Sequence, residues 1–142
     1  MPRAAAIPTD RTRRTTSRIR VRYAETDKMG VVYHANYFVW FEVGRCDLLR
    51  TLGWSYREME ESGVALPVVE ATCRYHVGSR YDDELEVATE GRLVSPVRLS
   101  FDYEIQRCAD GRAIVSGRTI HAAVNPAGRP CRLPERIRVA FS

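Results

Sequence analysis

Two hydrophobic periods divide this chain, and their order restricts what it can fold into. From Asn36 the apolar residues Tyr37, Phe41, Gly44, Leu48 and Leu52 recur at steps of four, three, four and four, one face of a helix. Gly53 supplies a stop after it. Phe38, Trp40 and Val43 spread apolar surface around its first half, so the helix is expected to be buried on several sides. Beyond a short second helix the period falls to two and stays there. Val69, Ala71, Cys73, Tyr75 and Val77 alternate with Glu70, Thr72, Arg74 and His76, and Leu85 and Val87 continue the pattern. Val97, Leu99, Phe101, Tyr103 and Ile105 repeat it, Asp110-Gly111 marks a hairpin, and residues 113–124 form a last strand closed by "NPAGRP".

The short helix is announced by Ser55-x-x-Glu58, a capping box in which each side chain satisfies the other residue's backbone N–H, and is expected to end at Gly63. Ahead of the long helix, "RIRVRY" alternates Ile19, Val21 and Tyr23 against Arg18, Arg20 and Arg22, as a strand with one covered face does. Strands joined by tight turns pair antiparallel and commonly bury one face, and a single long helix is the natural cover for it. The expected class is α+β: a curved antiparallel sheet of about five strands wrapped around one central helix. A chain of 142 residues makes one domain of this kind. No repeat or linker divides it.

Charge narrows the function. The net charge is +4, but positions 1–22 hold seven Arg and one acid, so the remainder, with 15 basic and 17 acidic residues, is close to neutral. Residues 1–17 are expected to be a disordered basic tail, with the folded domain over 18–142. A nucleic-acid binder concentrates basic residues on folded elements, which is not the pattern here. Cys46, Cys73, Cys108 and Cys131 stand 23 or more residues apart without a C-x-x-C pair, and no apolar run is long enough for a membrane span. A reduced, cytoplasmic protein without membrane insertion is expected. Packing explains Cys46 in the helix and Cys73 on an apolar strand face.

Chemistry concentrates between Asp27 and Ala35, a stretch that breaks the strand period, contains Gly30 and leads into the long helix. The first N–H groups of a helix lack intrahelical partners and its dipole favours negative charge there. Such donors suit the oxyanion of acyl transfer. Asp27, upstream on the same loop, is placed to attack a carbonyl or to activate water. Gly30 permits the sharp turn between them. Each residue has a plainer role as well: Asp27 as a turn acid bonded to its own backbone, His34 as a neighbour of the helix start, Asn36 as the helix cap.

Taken together, "YAETDKMGVVYHANYFVWFE" resembles the signature Y-x-x-T-D-x-x-G-x-V-x-x-x-x-Y of the hotdog-fold acyl-CoA thioesterases of the 4-hydroxybenzoyl-CoA type, including the bacterial Tol-Pal-associated group. The match runs through Tyr23, Thr26, Asp27, Gly30, Val32, His34, Asn36, Tyr37 and Glu42. The resemblance implies a hydrolase of acyl-CoA or acyl carrier protein thioesters that needs no metal or other cofactor. By position, Asp27 corresponds to the nucleophile or general base. His34 corresponds to the residue whose backbone N–H polarises the thioester carbonyl and, in the Tol-Pal-associated branch, whose imidazole orients substrate or water, with Gly30 shaping the same loop. Substrate contacts are expected from Tyr33, Asn36, Tyr37 and Arg98, the last of four arginines, with Arg74, Arg80 and Arg92, placed to meet coenzyme A phosphates.

Members of the family assemble as dimers and often tetramers, so a homo-oligomer, a homotetramer by the fuller form, is expected. An enediyne-pathway group lacks the acid that Asp27 supplies. Another hotdog group uses a helix glutamate, but Glu42, near Arg45, reads as an ion-pair residue. Two alternatives stay open: a hotdog hydratase or dehydratase using an acid and a histidine, and an acyl-thioester-binding subunit without turnover. His34, His76 and His121 are far apart in the chain and no Cys-His spacing resembles a zinc site. The acyl group is not specified by the sequence.

Overall fold

The computed structural model describes residues 13–142. Five strands, β1 (Arg14–Arg20), β2 (Val68–Tyr75), β3 (Glu84–Ser95), β4 (Arg98–Arg107) and β5 (Ala113–Ala122), form one sheet in the order β1-β3-β4-β5-β2. Every neighbouring pair is antiparallel. The long helix α1 (Asn36–Thr51) lies on one face, followed by α2 (Tyr56–Glu61), and a third helix, α3 (Glu135–Phe141), ends the chain. The α+β architecture of a sheet around a central helix stands as the periods imply.

The strand alternation explains how sheet and helix meet. Leu99, Phe101, Tyr103 and Ile105 of β4 are buried, and their neighbours Asp102, Glu104 and Gln106 are not. Helix α1 buries Tyr37, Trp40, Phe41, Gly44, Leu48 and Leu49. Phe41 stacks on Tyr103, ring centroids 4.2 Å apart and 8° from parallel. The close approach needs glycine twice. A Cβ on Gly44 would run into the Thr89 side chain, and one on Gly117 would stand 2.6 Å from Phe41.

Several expectations require correction. Strand β1 begins at Arg14, four residues inside the segment expected to be a disordered tail; the other described residue of that segment, Arg13, lies in a turn, and residues 1–12 lie outside the described residues. Arg14, from the segment expected to be disordered, joins Arg18 and Arg20 on the outward face of the strand, and the three meet Glu90, Glu84 and Asp82 at 3.4, 3.4 and 3.5 Å. Such exposed pairs add little stability. The backbone ladder to β3 holds the strand. Tyr23 does not continue it but opens a 3-10 turn over Tyr23–Glu25 and is 78% exposed.

Helix α3 was not foreseen. Its signal is present in Pro134 ahead of Glu135 and in Ile137 and Phe141 four residues apart, both fully buried. The face of β2 expected to be covered is largely open, with only Cys73 half-buried, because β2 is an edge strand of the sheet. Arg45 is not committed to Glu42. Its guanidinium donates to the hydroxyls of Tyr56 at 3.0 Å and Tyr103 at 3.4 Å.

That guanidinium heads a buried polar chain. Tyr103 shares 2.6 Å with Thr119, Thr119 shares 2.9 Å with Nε2 of His121, and Nδ1 of His121 lies 3.0 Å from the Leu66 carbonyl. A carbonyl only accepts, so Nδ1 carries a proton, and in a neutral ring Nε2 then accepts from Thr119. Thr119 must then accept from Tyr103, which accepts from Arg45. With a neutral His121, which its burial favours, every proton in the chain has one direction.

Candidate active site

The segment between β2 and β3 crosses the end of the sheet and meets the loop ahead of α1. Val32 N–H donates to the Ser79 carbonyl at 2.8 Å, Val31 bridges Arg80, and Arg107 reaches the Gly78 carbonyl at 3.4 Å. Beneath them Tyr37 and Ser79 share a 2.6 Å hydrogen bond. An open cleft of about 290 Å³ is left between loop and crossing segment, and Asp27, His34, Tyr37, Tyr75, His76 and Val77 are among the residues that line it.

Asp27 divides its two oxygens. Oδ1 accepts from the N–H groups of Met29 at 2.8 Å and Val31 at 3.4 Å. Oδ2 has no partner among the described residues. The backbone closes the same turn, with Asp27 N–H to Val31 and Gly30 N–H to Asp27 at 2.8 and 2.9 Å. Gly30 has a φ of 81°, the left-handed region that favours glycine, and a Cβ there would lie 3.6 Å from Arg80. The turn-acid role and a free carboxylate oxygen coexist on one residue.

His34 is exposed, its ring packed 4.5 Å from Tyr33 and edge-on to Tyr75. Among the described residues the N–H groups of His34 and Ala35 have no acceptor. They stand at the positive end of α1, whose N-cap is Ala35 rather than the expected Asn36. Asn36 is the first helical residue, and its Nδ2 donates back to the Glu25 carbonyl at 2.8 Å, tying the helix head to the start of the loop.

The expected substrate contacts divide accordingly. Tyr37 lines the cleft, but its hydroxyl is spent on Ser79 and burial pushes the phenol up from its ordinary value. Asn36 is spent on Glu25, and Tyr33 stands outside the lining, half exposed against His34. Arg98 is not brought to the cleft of its own chain. It begins β4, whose other end, Arg107, adjoins the cleft nine residues on, about 30 Å away at strand rise.

Tyr75 and His76 were missed as site residues. Tyr75 had been placed on a covered strand face, yet its hydroxyl donates to the His34 carbonyl at 3.1 Å, and loss of hydration with the nearby Cys73 pushes its phenol up to about 12. His76, whose Nε2 lies 3.0 Å from the Ser116 hydroxyl, lines the same cleft as His34 although 42 residues separate them. The only available signal was the aromatic pair Tyr75-His76 before the Gly78 turn.

Residues 21–141 match the Thioesterase-like superfamily. The chain belongs to this hotdog thioesterase family. YneP of Bacillus subtilis is 40% identical over 107 residues, 75% of this chain and 77% of YneP. The acyl-CoA thioesterase YbgC of Haemophilus influenzae is 33% identical over 126 residues, 87% of this chain and 90% of YbgC. Among solved structures, a DHNA-CoA thioesterase from Staphylococcus aureus superposes with a TM-score of 0.84 at 35% identity, covering 89% of this chain and 87% of that one. The overall fold is therefore that of a thioesterase scaffold.

Proposed function

We propose that the protein hydrolyses acyl thioesters of coenzyme A, with the thioester carbonyl seated between the amides at the head of α1 and the Asp27 carboxylate. The observation that carries this is the shared cleft: one Asp27 oxygen is pinned by loop amides, the other has no partner among the described residues, and among them the N–H of His34, which lines the same cleft at the head of α1, has no acceptor. The names of the YbgC relatives support the choice of carrier. An acyl carrier protein thioester offers the same bond and is the second carrier to try.

As a nucleophile adds to the carbonyl carbon, negative charge collects on the carbonyl oxygen, where amide donors at a helix N-terminus act most strongly. The C–S bond then breaks and the thiolate of coenzyme A leaves. Two routes begin from Asp27 Oδ2. It attacks the carbon directly, giving a mixed anhydride that water opens, or it takes a proton from a water that attacks. Single-turnover hydrolysis in labelled water separates them, since only the anhydride route can place label in the Asp27 carboxylate. His34 orients substrate or water beside Tyr75.

The cleft is small for a ligand site and walled by Val31, Val32, Tyr37, Tyr75 and Val77. It suits a compact acyl group, an aromatic ring or a short branched chain. Arg80, packed against the Gly30 turn, is the arginine best placed for a coenzyme A phosphate. The assembly we propose is a homo-oligomer joined through the exposed β2 edge, where Val68, Val69 and Tyr75 are each nearly half exposed. The proposed setting is cytoplasmic, following the dispersed cysteines; no helix among the described residues is long and apolar enough to cross a membrane.

Release of free thiol from a panel of acyl-CoAs tests the function. A hydrolase releases thiol and free acid with at least one member. A hydratase alters the acyl chain without releasing thiol, and a binding subunit does neither.

A further inference from the structure

Two peptide groups at the head of α1 carry the amides that hydrolysis would use, and the carbonyl of each is tied down differently. The Tyr33–His34 peptide is held within the turn, where Asn36 N–H donates to the Tyr33 carbonyl at 2.9 Å. The His34–Ala35 peptide is held from outside. Tyr75 donates its hydroxyl to the His34 carbonyl at 3.1 Å, across 41 residues of sequence. The Tyr75 ring is wedged edge-on to the His34 imidazole, centroids 6.2 Å apart at 89°, and against Tyr37 at 5.8 Å and 63°.

Peptide planarity makes this contact more than a strut. In a trans peptide the carbonyl and the amide point in opposite directions from one rigid plane, so holding the His34 oxygen also aims the Ala35 N–H. A hydrogen bond onto the carbonyl draws electron density to that oxygen and makes the amide at the other end of the plane a stronger donor, as in any chain of polarised hydrogen bonds. The Ala35 N–H has no acceptor among the described residues.

We propose that Tyr75 is a positioning residue for thioester hydrolysis, its hydroxyl fixing and polarising the His34–Ala35 peptide so that the helix-head amides meet the developing oxyanion. It touches neither the breaking bond nor the attacking oxygen. The inference rests on the hydrolytic function proposed above.

Tyr75→Phe keeps the ring and removes only the hydroxyl. Four quantities are to be measured: kcat and KM on the best acyl-CoA substrate, the thermal midpoint, and the infrared carbonyl stretch of a ¹³C-labelled thioester bound to Asp27→Asn, with and without Tyr75→Phe. The expected result is a kcat about tenfold lower, milder than the roughly 10²–10³-fold loss that follows removal of an oxyanion donor itself, with KM little changed. The thermal midpoint stays near that of the parent. The thioester carbonyl stretch moves to higher frequency in the double variant, because its oxygen is less polarised. An unchanged kcat in a protein whose parent is active overturns the role of Tyr75 and leaves the hydrolytic function standing. A fall in kcat matched by a fall in thermal midpoint, with the carbonyl band unmoved, also overturns it by reducing Tyr75 to a packing residue. A parent protein that releases no thiol from any acyl-CoA removes the hydrolytic function and this inference together.

Discussion

Tyr37 and Ser79 share a 2.6 Å hydrogen bond sealed beneath the cleft, and through it the first turn of α1 is fastened to the segment crossing from β2 to β3. Ser79 has no exposed surface and Tyr37 only 3%. Tyr37→Phe strands the Ser79 hydroxyl without its partner, and a buried hydroxyl left unpaired costs about 1–3 kcal/mol. Urea unfolding should show that loss. An unchanged midpoint would mean that the Val32-to-Ser79 backbone bond is sufficient fastening.

Gly44 lets α1 lie directly on β3. Alanine is the better helix former, so on propensity alone Gly44→Ala should stabilise α1 by about 1 kcal/mol. Packing opposes this, because the new methyl would run into the β-branched Thr89 side chain and stand 3.2 Å from Val87. Overpacking of this kind costs roughly 1–3 kcal/mol. Net destabilisation is expected in thermal or urea unfolding, and a stabilised variant would show that the helix can lift away freely.

His121 makes stability depend on acid. Burial is the main cause that holds its pKa at about 4, below the ordinary 6.5, and the one-way proton chain from Arg45 through Thr119 needs the neutral ring. The folded state therefore binds fewer protons than the unfolded one between these values. Stability is fully present above pH 6.5 and is lost as pH falls toward 4, by about 3 kcal/mol in all. The check is urea unfolding at pH 7 and pH 4.5 for the parent and for His121→Gln. The parent should lose more stability than the variant on acidification, and equal losses would contradict a neutral buried ring.

What was legible in the sequence follows from what is local. The face of α1 from Tyr37 to Leu48, the alternation of β4 and the Ser55 cap depend on neighbours within a few residues. The Ser55 hydroxyl does accept from Glu58 N–H, at 3.1 Å, but the expected return bond is replaced, since the Glu58 carboxylate meets the Ser55 hydroxyl at 3.4 Å rather than its N–H. The Asp27–Gly30 turn was readable for the same reason. Order across the sheet was not. β2 precedes β3 in the chain but pairs with β5 at the far edge, and only the folded sheet carries Tyr75 and His76 to the loop at Asp27. Arg98 misled in the reverse sense, since a polar residue at a strand end does not reveal which end of the sheet it occupies. Arg45 preferred two distant tyrosines to the nearby Glu42, because buried hydroxyls needed its donors more than an exposed carboxylate did.

The central claim is that the unspent oxygen of Asp27 starts the chemistry, and Asp27→Asn tests it most directly. The amide oxygen of asparagine can keep the Oδ1 bonds to Met29 and Val31, so the loop and the unfolding midpoint should persist. The carboxylate that attacks or deprotonates is lost. Thiol release from the best acyl-CoA substrate is expected to fall by about 10³-fold or more in kcat, with substrate binding retained. A folded Asp27→Asn protein that turns over within about tenfold of the parent would contradict the account.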